Sequence, residues 1–346
     1  SDGTYNTAVG YQALKVNQED GLTAIGYNAL ASNTTGTENV AIGYNAMAAT
    51  TVSPQCVAIG SNALASQVYS GGGNIAIGAS ALTLCDAPNN TAIGNYALAT
   101  STSATYNTAV GGGALWKMTT GSYNFGLGSE VMSQATTASR CIGIGHWTMR
   151  SGVTTGASNI GIGAECMKTM SGSTSNNTAI GDAALFAISS GGNNTALGFN
   201  AGNTITTGAN NTLVGYNAQA TSATVSNEIT LGNSSVSTLR CQVTSITGLS
   251  DKRDKANIHD LSLGLDFINS VRPVEFQWAM RDEFGVQAEP GDKAIGFIAQ
   301  ELDAAEKAAD SDWLGLAYKE NLDRMEATPG KLLPVAIKAI QELSEL

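Results

Sequence analysis

The stretch that decides the fold is Thr23-Ala-Ile-Gly26-Tyr-Asn-Ala-Leu30, because the chain repeats it. A first copy, Asn6-Thr-Ala-Val-Gly10-Tyr-Gln-Ala-Leu14, precedes it, and Asn39-Val-Ala-Ile-Gly43-Tyr-Asn-Ala-Met47 follows it. The glycine of the pattern recurs at 60, 78, 94, 111, 128, 145, 163, 181, 198, 215 and 232, which makes fourteen copies at spacings of 16 to 18 residues. Self-similarity at a nearly constant period predicts one structural rung per copy, each stacked on the next.

Within a copy, small and β-branched residues alternate. Ala8 and Gly10 alternate with Thr7 and Val9, which is the period of two that a strand shows. One face of the strand therefore carries only Ala and Gly. Because so small a face cannot form a full core alone, we expect three chains to share one axis there. The Ala-Leu or Ala-Met pair that begins three residues after the glycine supplies the larger apolar filler.

Most copies begin with an asparagine, and the copies are separated by clusters of Thr, Ser, Asn and Gly that are typical of turns. Stacking would align these amides into a ladder. With one strand per copy, a spacing of about 4.8 Å predicts a rod of roughly 65 Å, and two antiparallel strands per copy would double that to about 130 Å. The leading asparagines are Asn6, Asn39, Asn74, Asn107, Asn124, Asn159, Asn177, Asn194, Asn211 and Asn227.

The repeats do not fit several catalytic or ligand-binding classes. A phosphate-binding loop needs clustered glycines before a helix, and each copy has one glycine and no helix signal. A calcium-binding β-roll needs regularly spaced Asp, which the repeats lack. Paired carboxylates of a glycosidase would have to come from nine scattered acidic residues. The regular apolar positions also exclude a flexible linker.

The composition of the chain changes abruptly after Leu249. Residues 1–249 hold 9 acidic and 6 basic residues and 34 glycines, whereas the 97 residues from Ser250 onward hold 19 acidic and 11 basic residues and 6 glycines. We therefore predict two domains, a β-repeat shaft over 1–249 and a second, mixed globular domain over 250–346. The chain begins in repeat phase without a Met, from which we expect an upstream part to be missing.

Charge and composition restrict the partners. A net charge of −11 argues against nucleic acid and against an anionic membrane surface. No run of 18 apolar residues predicts membrane insertion. With His146 and His259 as the only histidines, we expect no metal site, and we expect no cofactor. The cysteines have no CxxC spacing and are expected to be small buried fillers; they are Cys56, Cys85, Cys141, Cys166 and Cys241.

The second domain shows mixed helix and strand patterns. Apolar residues at 261, 265, 268 and 271 predict a helix with Asp260 as its N-cap and Pro273 as its stop. Strands are predicted over 274–278 and 294–298, and a helix over 300–307. The C-terminal segment places apolar residues at heptad spacing, which predicts a short helix with a coiled-coil seam; these residues are Leu333, Ala336, Ile340 and Leu343.

Two resemblances follow from these patterns. The Asn-x-Ala-(Ile/Val)-Gly-x-x-Ala repeat resembles the head repeats of YadA-like trimeric adhesins and the repeats of some phage tail fibres, which implies a homotrimeric β-rich fibre. Residues 250–346 resemble the intramolecular chaperone, or S74 peptidase, domain of phage tail spikes and tail fibres. That second resemblance rests on Ser250-Asp-x-Arg253-x-Lys255, on 268–278, on Gly296-Phe-Ile-Ala-Gln-Glu301 and on 333–343.

The second resemblance implies a domain that directs trimerisation of the fibre and then cuts itself off. It implies that Ser250 is the nucleophile and Lys255 its base, that the cut falls between Leu249 and Ser250, and that Asp251 and Arg253 support them. A serine just after the scissile bond can attack the preceding carbonyl in an N-to-O acyl shift, and water then hydrolyses the ester. Lysine accepts the proton only when neutral, and we expect burial or nearby cations to favour that form. The candidate cations are Lys252 and Arg253, with the same residues of two other chains.

The expected fold is mainly β, an elongated trimeric β-solenoid or β-roll-like shaft followed by a small α+β domain that ends in a helix. The leading interpretation is a homotrimeric phage tail fibre that binds a host receptor, contacts other virion tail proteins, and is made in the host cytoplasm. Its enzyme activity would be a single self-cleavage. A cell-surface trimeric adhesin fragment and the non-catalytic shaft of a glycan-degrading tail spike remain open. Candidate sugar-stacking residues, equally explained by packing between rungs, are Tyr11, Tyr27, Tyr44, Tyr216, Trp116 and Trp147.

Overall fold

The computed structural model describes residues 3–67, 72–151, 156–240, 242, 250–279, 286–319 and 322–346. The chain forms two compact units, Ser1–Thr238 and Leu239–Leu346. The predicted domain boundary between 249 and 250 stays a prediction, because residues 243–249 lie outside the described residues.

The first unit is a β-solenoid, as the repeat predicts. In the described part of the chain its fourteen strands form one sheet in chain order, with thirteen coils of chain joining them. The strands are β1 Thr7–Val9, β2 Thr23–Ile25, β3 Val40–Ile42, β4 Val57–Ile59, β5 Ile75–Ile77, β6 Thr91–Ile93, β7 Thr108–Val110, β8 Phe125–Leu127, β9 Ile142–Ile144, β10 Ile160–Ile162, β11 Thr178–Ile180, β12 Thr195–Leu197, β13 Thr212–Val214 and β14 Ile229–Leu231.

Every copy pairs in parallel and in register with the next copy. Ala8 lies opposite Ala24, and Ala24 opposite Ala41, so equivalent residues form straight columns along the solenoid. Each copy contributes a single strand, so two antiparallel strands per copy is the wrong alternative. Thirteen spacings of about 4.8 Å give this unit a length of about 62 Å.

The core of the solenoid lies inside each single chain. The central alanines of the strands, such as Ala24, are fully buried against the large residues that follow the glycine, such as Leu30 and Met47. The prediction that the Ala/Gly face meets other chains is therefore wrong. The chain turns sharply after the strand, and this folds its own Leu or Met over the alanine column. The β-branched residues point outward instead, and Ile25 is 38 % exposed.

The pattern glycine is required by close backbone approach. Gly26 has a φ of +138°, and a Cβ there would lie 2.3 Å from the carbonyl oxygen of Gly43 in the next coil. Only glycine adopts such a φ without strain, and no other residue fits the space. The same geometry recurs from coil to coil, so these glycines let the corner after the strand stack.

The leading asparagines form the expected ladder. The Asn124 amide nitrogen donates to Oδ1 of Asn107 at 3.0 Å and to the Ala138 carbonyl at 2.8 Å, and the Asn124 backbone N–H donates to the same Oδ1 at 2.9 Å. Asn107 and Asn124 are almost wholly buried. Buried amides with this many partners hold the coils in register, because a buried polar group without a partner costs about 1–3 kcal/mol.

Two members of the ladder differ from the prediction. Asn90 belongs to it, since its Oδ1 accepts the backbone N–H of Asn107 at 3.0 Å. Asn227 does not belong, because it is exposed at the neighbouring position. In that last coil Glu228 takes the ladder position and donates its backbone N–H to Oδ1 of Asn211 at 2.9 Å. Asn227 and Glu228 are adjacent in the turn before the last strand of the solenoid, and the sequence alone did not show which of the two occupies the ladder position.

The second unit contains three helices, four short strands and single 3-10 turns in its described residues. Antiparallel pairs join Val274–Gln277 to Lys293–Gly296 and Ala317–Tyr318 to Glu326–Ala327. Its small core includes Phe267, Leu302, Leu316 and Val335. The elements are the 3-10 turn Lys252–Asp254, α1 Leu265–Ser270, β15 Val274–Gln277, β16 Lys293–Gly296, α2 Ala299–Ala308, the 3-10 turn Asp312–Leu314, β17 Ala317–Tyr318, the 3-10 turn Leu322–Arg324, β18 Glu326–Ala327, the 3-10 turn Pro329–Lys331 and α3 Leu332–Glu345.

The first helix starts later than predicted. It begins at Leu265 with Gly264 as N-cap, so the predicted cap at Asp260 is wrong. A carboxylate from α3 replaces the local cap, because Oε2 of Glu342 accepts the Leu265 N–H at 2.7 Å. A Cβ on Gly264 would collide with that carboxylate. A contact across 77 residues thus decides where α1 begins.

Among the described residues, none of the helices has both the length and the apolar character that a membrane span requires.

Two neighbouring glycines test the stacking requirement. In Gly111→Ala, the new Cβ would lie 2.3 Å from the Gly128 carbonyl oxygen at a φ of +132°. A strained backbone and an overpacked contact cost at least about 2 kcal/mol together, so we expect the melting temperature to fall by roughly 4–8 °C. Gly112→Ala is the matched control, because a Cβ there meets open space. Equal melting temperatures for the two variants would contradict the steric explanation.

Candidate functional site

The candidate site lies near the start of the second unit, where a 3-10 turn, Lys252–Asp254, follows Ser250. Asp251 begins the turn, because its Oδ1 accepts the backbone N–H of Arg253 at 2.8 Å. Its other oxygen pairs with the Arg253 guanidinium at 2.6 Å. These hydrogen bonds hold the pKa of the Asp251 carboxyl below its usual range. The turn ends at Lys255, whose N–H donates to the Lys252 carbonyl at 3.2 Å.

This turn brings the two predicted catalytic side chains together. Nζ of Lys255 donates to Oγ of Ser250 at 2.7 Å. A nucleophile and its base must lie within about 2.6–3.2 Å for proton transfer, and this distance lies in that range. A spacing of five residues alone does not require contact; the capped turn between the two residues reverses the chain and creates it.

The supporting residues act mainly on the turn. Arg253 pairs with Asp251, and this ion pair lies within the turn. Ser250, Asp251, Arg253 and Lys255 are exposed in the single chain, so water has access to the pair. The predicted scissile residue, Leu249, lies outside the described residues.

Two acidic residues of the second unit have structural roles that sequence reasoning missed. Glu306 is fully buried, and its Oε1 accepts the Leu316 N–H at 2.6 Å, which joins α2 to the chain entering β17. Glu342 caps α1, as described above. Neither role has a sequence signal, because acidic residues on amphipathic helices normally face water.

The exposed aromatic residues of the solenoid mostly stack on one another. The rings of Tyr11 and Tyr27 are 5.3 Å apart, and so are those of Tyr27 and Tyr44. Tyr216 stacks on Phe199 at 5.5 Å. Stacking between coils therefore occupies these rings. The two tryptophans of the solenoid also have neighbours. The ring centroids of Trp116 and Tyr96 are 6.0 Å apart, and the cationic groups of Arg150 and Lys168 lie within 5 Å of the centroid of the Trp147 ring.

The cysteines confirm the expectation of buried fillers where the structure describes them. Cys56, Cys85, Cys141 and Cys166 are buried, while Cys241 lies outside the described residues. Burial raises the pKa of the Cys56 thiol to about 11 and that of Cys166 to about 12. Since the thiolate is the reactive form, these groups are poor nucleophiles at neutral pH.

Fold and site together define a β-solenoid followed by an α+β unit that opens on a Ser–Lys pair. Residues 250–310 match the family model of Peptidase_S74, described as the chaperone of endosialidase. This is a family of self-cleaving chaperone peptidases, and the match begins at Ser250. No curated protein and no solved structure matches the chain. The resemblance of the repeats to adhesin heads and phage fibres stays a prediction.

Proposed function

We propose that this chain is a homotrimeric phage tail-fibre protein whose second domain directs assembly and then releases itself by one self-cleavage at Leu249–Ser250. The observation that carries the proposal is the contact of 2.7 Å between Ser250 and Lys255. It lies at the first residue of the segment that matches the self-cleaving chaperone family, and that segment follows a repetitive solenoid along the chain. The fibre would be made in the host cytoplasm and carried on the virion tail.

The proposed chemistry is an N-to-O acyl shift. Neutral Lys255 takes the hydroxyl proton of Ser250, and Oγ attacks the carbonyl carbon of Leu249 through a five-membered ring. The bond from that carbon to the Ser250 nitrogen breaks, and the nitrogen leaves as an amine with the proton that Lys255 returns. Water then hydrolyses the ester, which frees the Leu249 carboxylate and the Ser250 hydroxyl. The chain is its own substrate, so each chain reacts once.

Self-cleavage is tested by mass. We expect freshly made wild-type protein to yield a fragment that ends at Leu249, and Ser250→Ala and Lys255→Ala to remain full length, because one lacks the nucleophile and the other the base. Intact-mass measurement reads both fragments. Asp254→Ala is the matched control and should still be cut, since Asp254 belongs to the same turn but has no part in the proposed chemistry. Cleavage of Ser250→Ala at this bond would remove Ser250 from the mechanism.

The proposed trimer needs a different surface from the one that the sequence suggested. The outer face of the sheet is a strip of about 62 Å by about 10 Å, or about 600 Å². Its outward column after the central residue is apolar in every strand, whereas the column before it is Thr in seven of the fourteen strands. The area approaches what one partner buries in a stable interface. The exposed apolar residues of the strip are Val9, Ile25, Ile59, Ile75, Ile93, Phe125, Leu127, Ile142, Ile180, Leu197, Ile229 and Leu231.

The last helix offers a second surface for self-association. Leu332 and Val335 pack into the unit's core, whereas Leu333, Ile340 and Leu343 are between 59 % and 66 % exposed. Ile337 is exposed on the same side, while the predicted seam residue Ala336 is half-buried. Fewer than two heptads of seam are too short to associate alone. This helix therefore supports a trimer only together with the rest of the domain.

The outer strip gives a test of assembly. Ile93→Glu with Leu127→Glu places two charges on the strip, and we expect them to shift the assembly from trimer to monomer while the β circular dichroism remains. Ser103→Glu is the control, because Ser103 is exposed but lies outside the strands. Sedimentation equilibrium reads the mass. A monomeric wild type, or a double variant that is still trimeric, would contradict this interface.

The proposed chaperone role follows from the repeats. Slipping two chains by one copy preserves nearly every contact between them, because the columns are made of like residues. A part that does not repeat must therefore set the register, and residues 250–346 are that part. Once the shaft is folded, its register no longer depends on the domain, so releasing the domain does not destabilise the shaft. The assembled shaft is then free to bind its host receptor and other tail proteins.

Deleting the second domain tests whether the shaft needs it in order to fold, and releasing it after folding tests whether the folded shaft needs it in order to stay assembled. We expect residues 1–249, expressed alone, to aggregate or to form mixed assemblies, because nothing aligns the copies. The same shaft released by self-cleavage should stay trimeric and unfold slowly, since its barrier lies in the folded contacts. Size exclusion and protease resistance compare the two preparations, which have the same sequence. A soluble, protease-resistant trimer from residues 1–249 alone would show that the second domain is unnecessary for folding.

A further inference from the structure

The corner just before each strand requires a left-handed backbone. Its φ is +58° to +64° at Asn176, Asn193, Asn210 and Asn227, and +71° at Gly21. Glycine and asparagine suit this region, and bulky residues there are strained. Asparagine also stabilises the corner, because the Asn176 amide donates to Asn193 at 3.2 Å and the Asn210 amide to Asn227 at 3.2 Å.

Seven of the fourteen corners hold neither glycine nor asparagine, and three of these seven lie in consecutive coils and carry bulky side chains. The same corner holds Tyr106, Tyr123 and Arg140, with φ values of +55°, +62° and +57°. The backbone contacts of the corner do not change, since the Arg140 N–H donates to the Ser122 carbonyl at 3.0 Å just as the Asn193 N–H donates to Ser175 at 3.1 Å. The solenoid thus carries three bulky side chains in a row where many other coils place smaller ones. The Tyr106–Tyr123 stack accounts for the two tyrosines in part, whereas Arg140 has no ion-pair partner among the described residues.

These residues border a recess. Tyr106 and Tyr123 stack at 5.1 Å and 5°, so Tyr106 covers one face of the Tyr123 ring. Beyond Tyr123, toward the next coil, lies an open depression of about 580 Å³ lined by Ser122, Tyr123, Ser139 and Arg140. Tyr123 is 61 % exposed, and no acidic side chain in the described residues pairs with Arg140. An aromatic face and an unpaired guanidinium therefore meet at one depression.

We propose that this depression binds a saccharide unit that carries a carboxylate. The Tyr123 ring offers a flat surface for the apolar face of a sugar, with a phenol hydroxyl beside it. The Arg140 guanidinium matches a carboxylate with two parallel hydrogen bonds. Oγ of Ser122 and Oγ of Ser139 each accept a backbone N–H and keep a proton to donate to sugar oxygens. A nucleic acid is disfavoured, because the chain's net charge is −11.

This site would be where the proposed fibre binds its receptor, so the source of the sugar, a host-surface glycan, rests on the proposed function.

The probes are methyl β-D-glucuronide and methyl β-D-glucoside, which differ in the carboxylate alone. Each is added to the full chain, and binding is measured by ligand-observed NMR. A charged hydrogen bond contributes about 1.5–3 kcal/mol, so the glucuronide should bind at least about tenfold more tightly. Equal binding of both probes, or no binding of either, would overturn the site. Neither result bears on self-cleavage or trimer mass.

The variants use the residue that other coils place at this corner. Tyr123→Asn and Arg140→Asn should each weaken glucuronide binding at least about tenfold, and Arg140→Asn should remove the preference over the glucoside. Their melting temperatures should stay equal or rise, because Asn relieves the strained corner. Tyr5→Asn is the matched control: Tyr5 has the same backbone, with a φ of +60°, outside the depression. A fall in melting temperature with unchanged binding would assign these residues to structure instead.

Discussion

The whole solenoid depends on the parallel, in-register approach of one coil to the next at the pattern glycine. At Gly26 the next coil's carbonyl oxygen occupies the place of a side chain. That approach sets the distance between coils, and the distance in turn lets the strand alanines, the Leu or Met fillers and the asparagines form continuous columns. Each column then adds the same small contribution in every coil, so stability accumulates along the solenoid.

The ladder of asparagines fixes the alignment of one coil on the next, which apolar packing alone does not do. Each amide has a donor and an acceptor, and both are satisfied only when the neighbouring coil is correctly aligned along the chain. Leu22, Cys56 and Cys141 interrupt the column, so the ladder runs in segments. The longest segments lie between Asn74 and Asn124 and between Asn159 and Asn211, where the buried amides follow one another without a break.

The same regularity creates the problem that the second domain would solve. Columns of like residues make contacts within a chain precise, but they make pairing between chains degenerate. A domain that differs from the repeats can set the pairing once and then becomes dispensable. In the proposed function Ser250 would be both the nucleophile and the first residue of the domain, so one reaction would separate the domain once the pairing is set. The exposed strip on the sheet is where the shaft itself would use that pairing.

Sequence alone determined that the chain has fourteen copies, that each copy contains a short strand, and that Ser250 and Lys255 belong to a distinct second part, because these follow from period, alternation and motif. The structure decided that each copy contributes one strand and not two. Tertiary structure decided which face of the strand lies inside. Alternation separates two faces but does not say that Leu30 folds back over Ala24 and leaves Ile25 outside. It also decided that Ser250 meets Lys255, because that contact depends on a turn capped by Asp251. Local patterns record which residues share a face; only the path of the chain determines what that face meets.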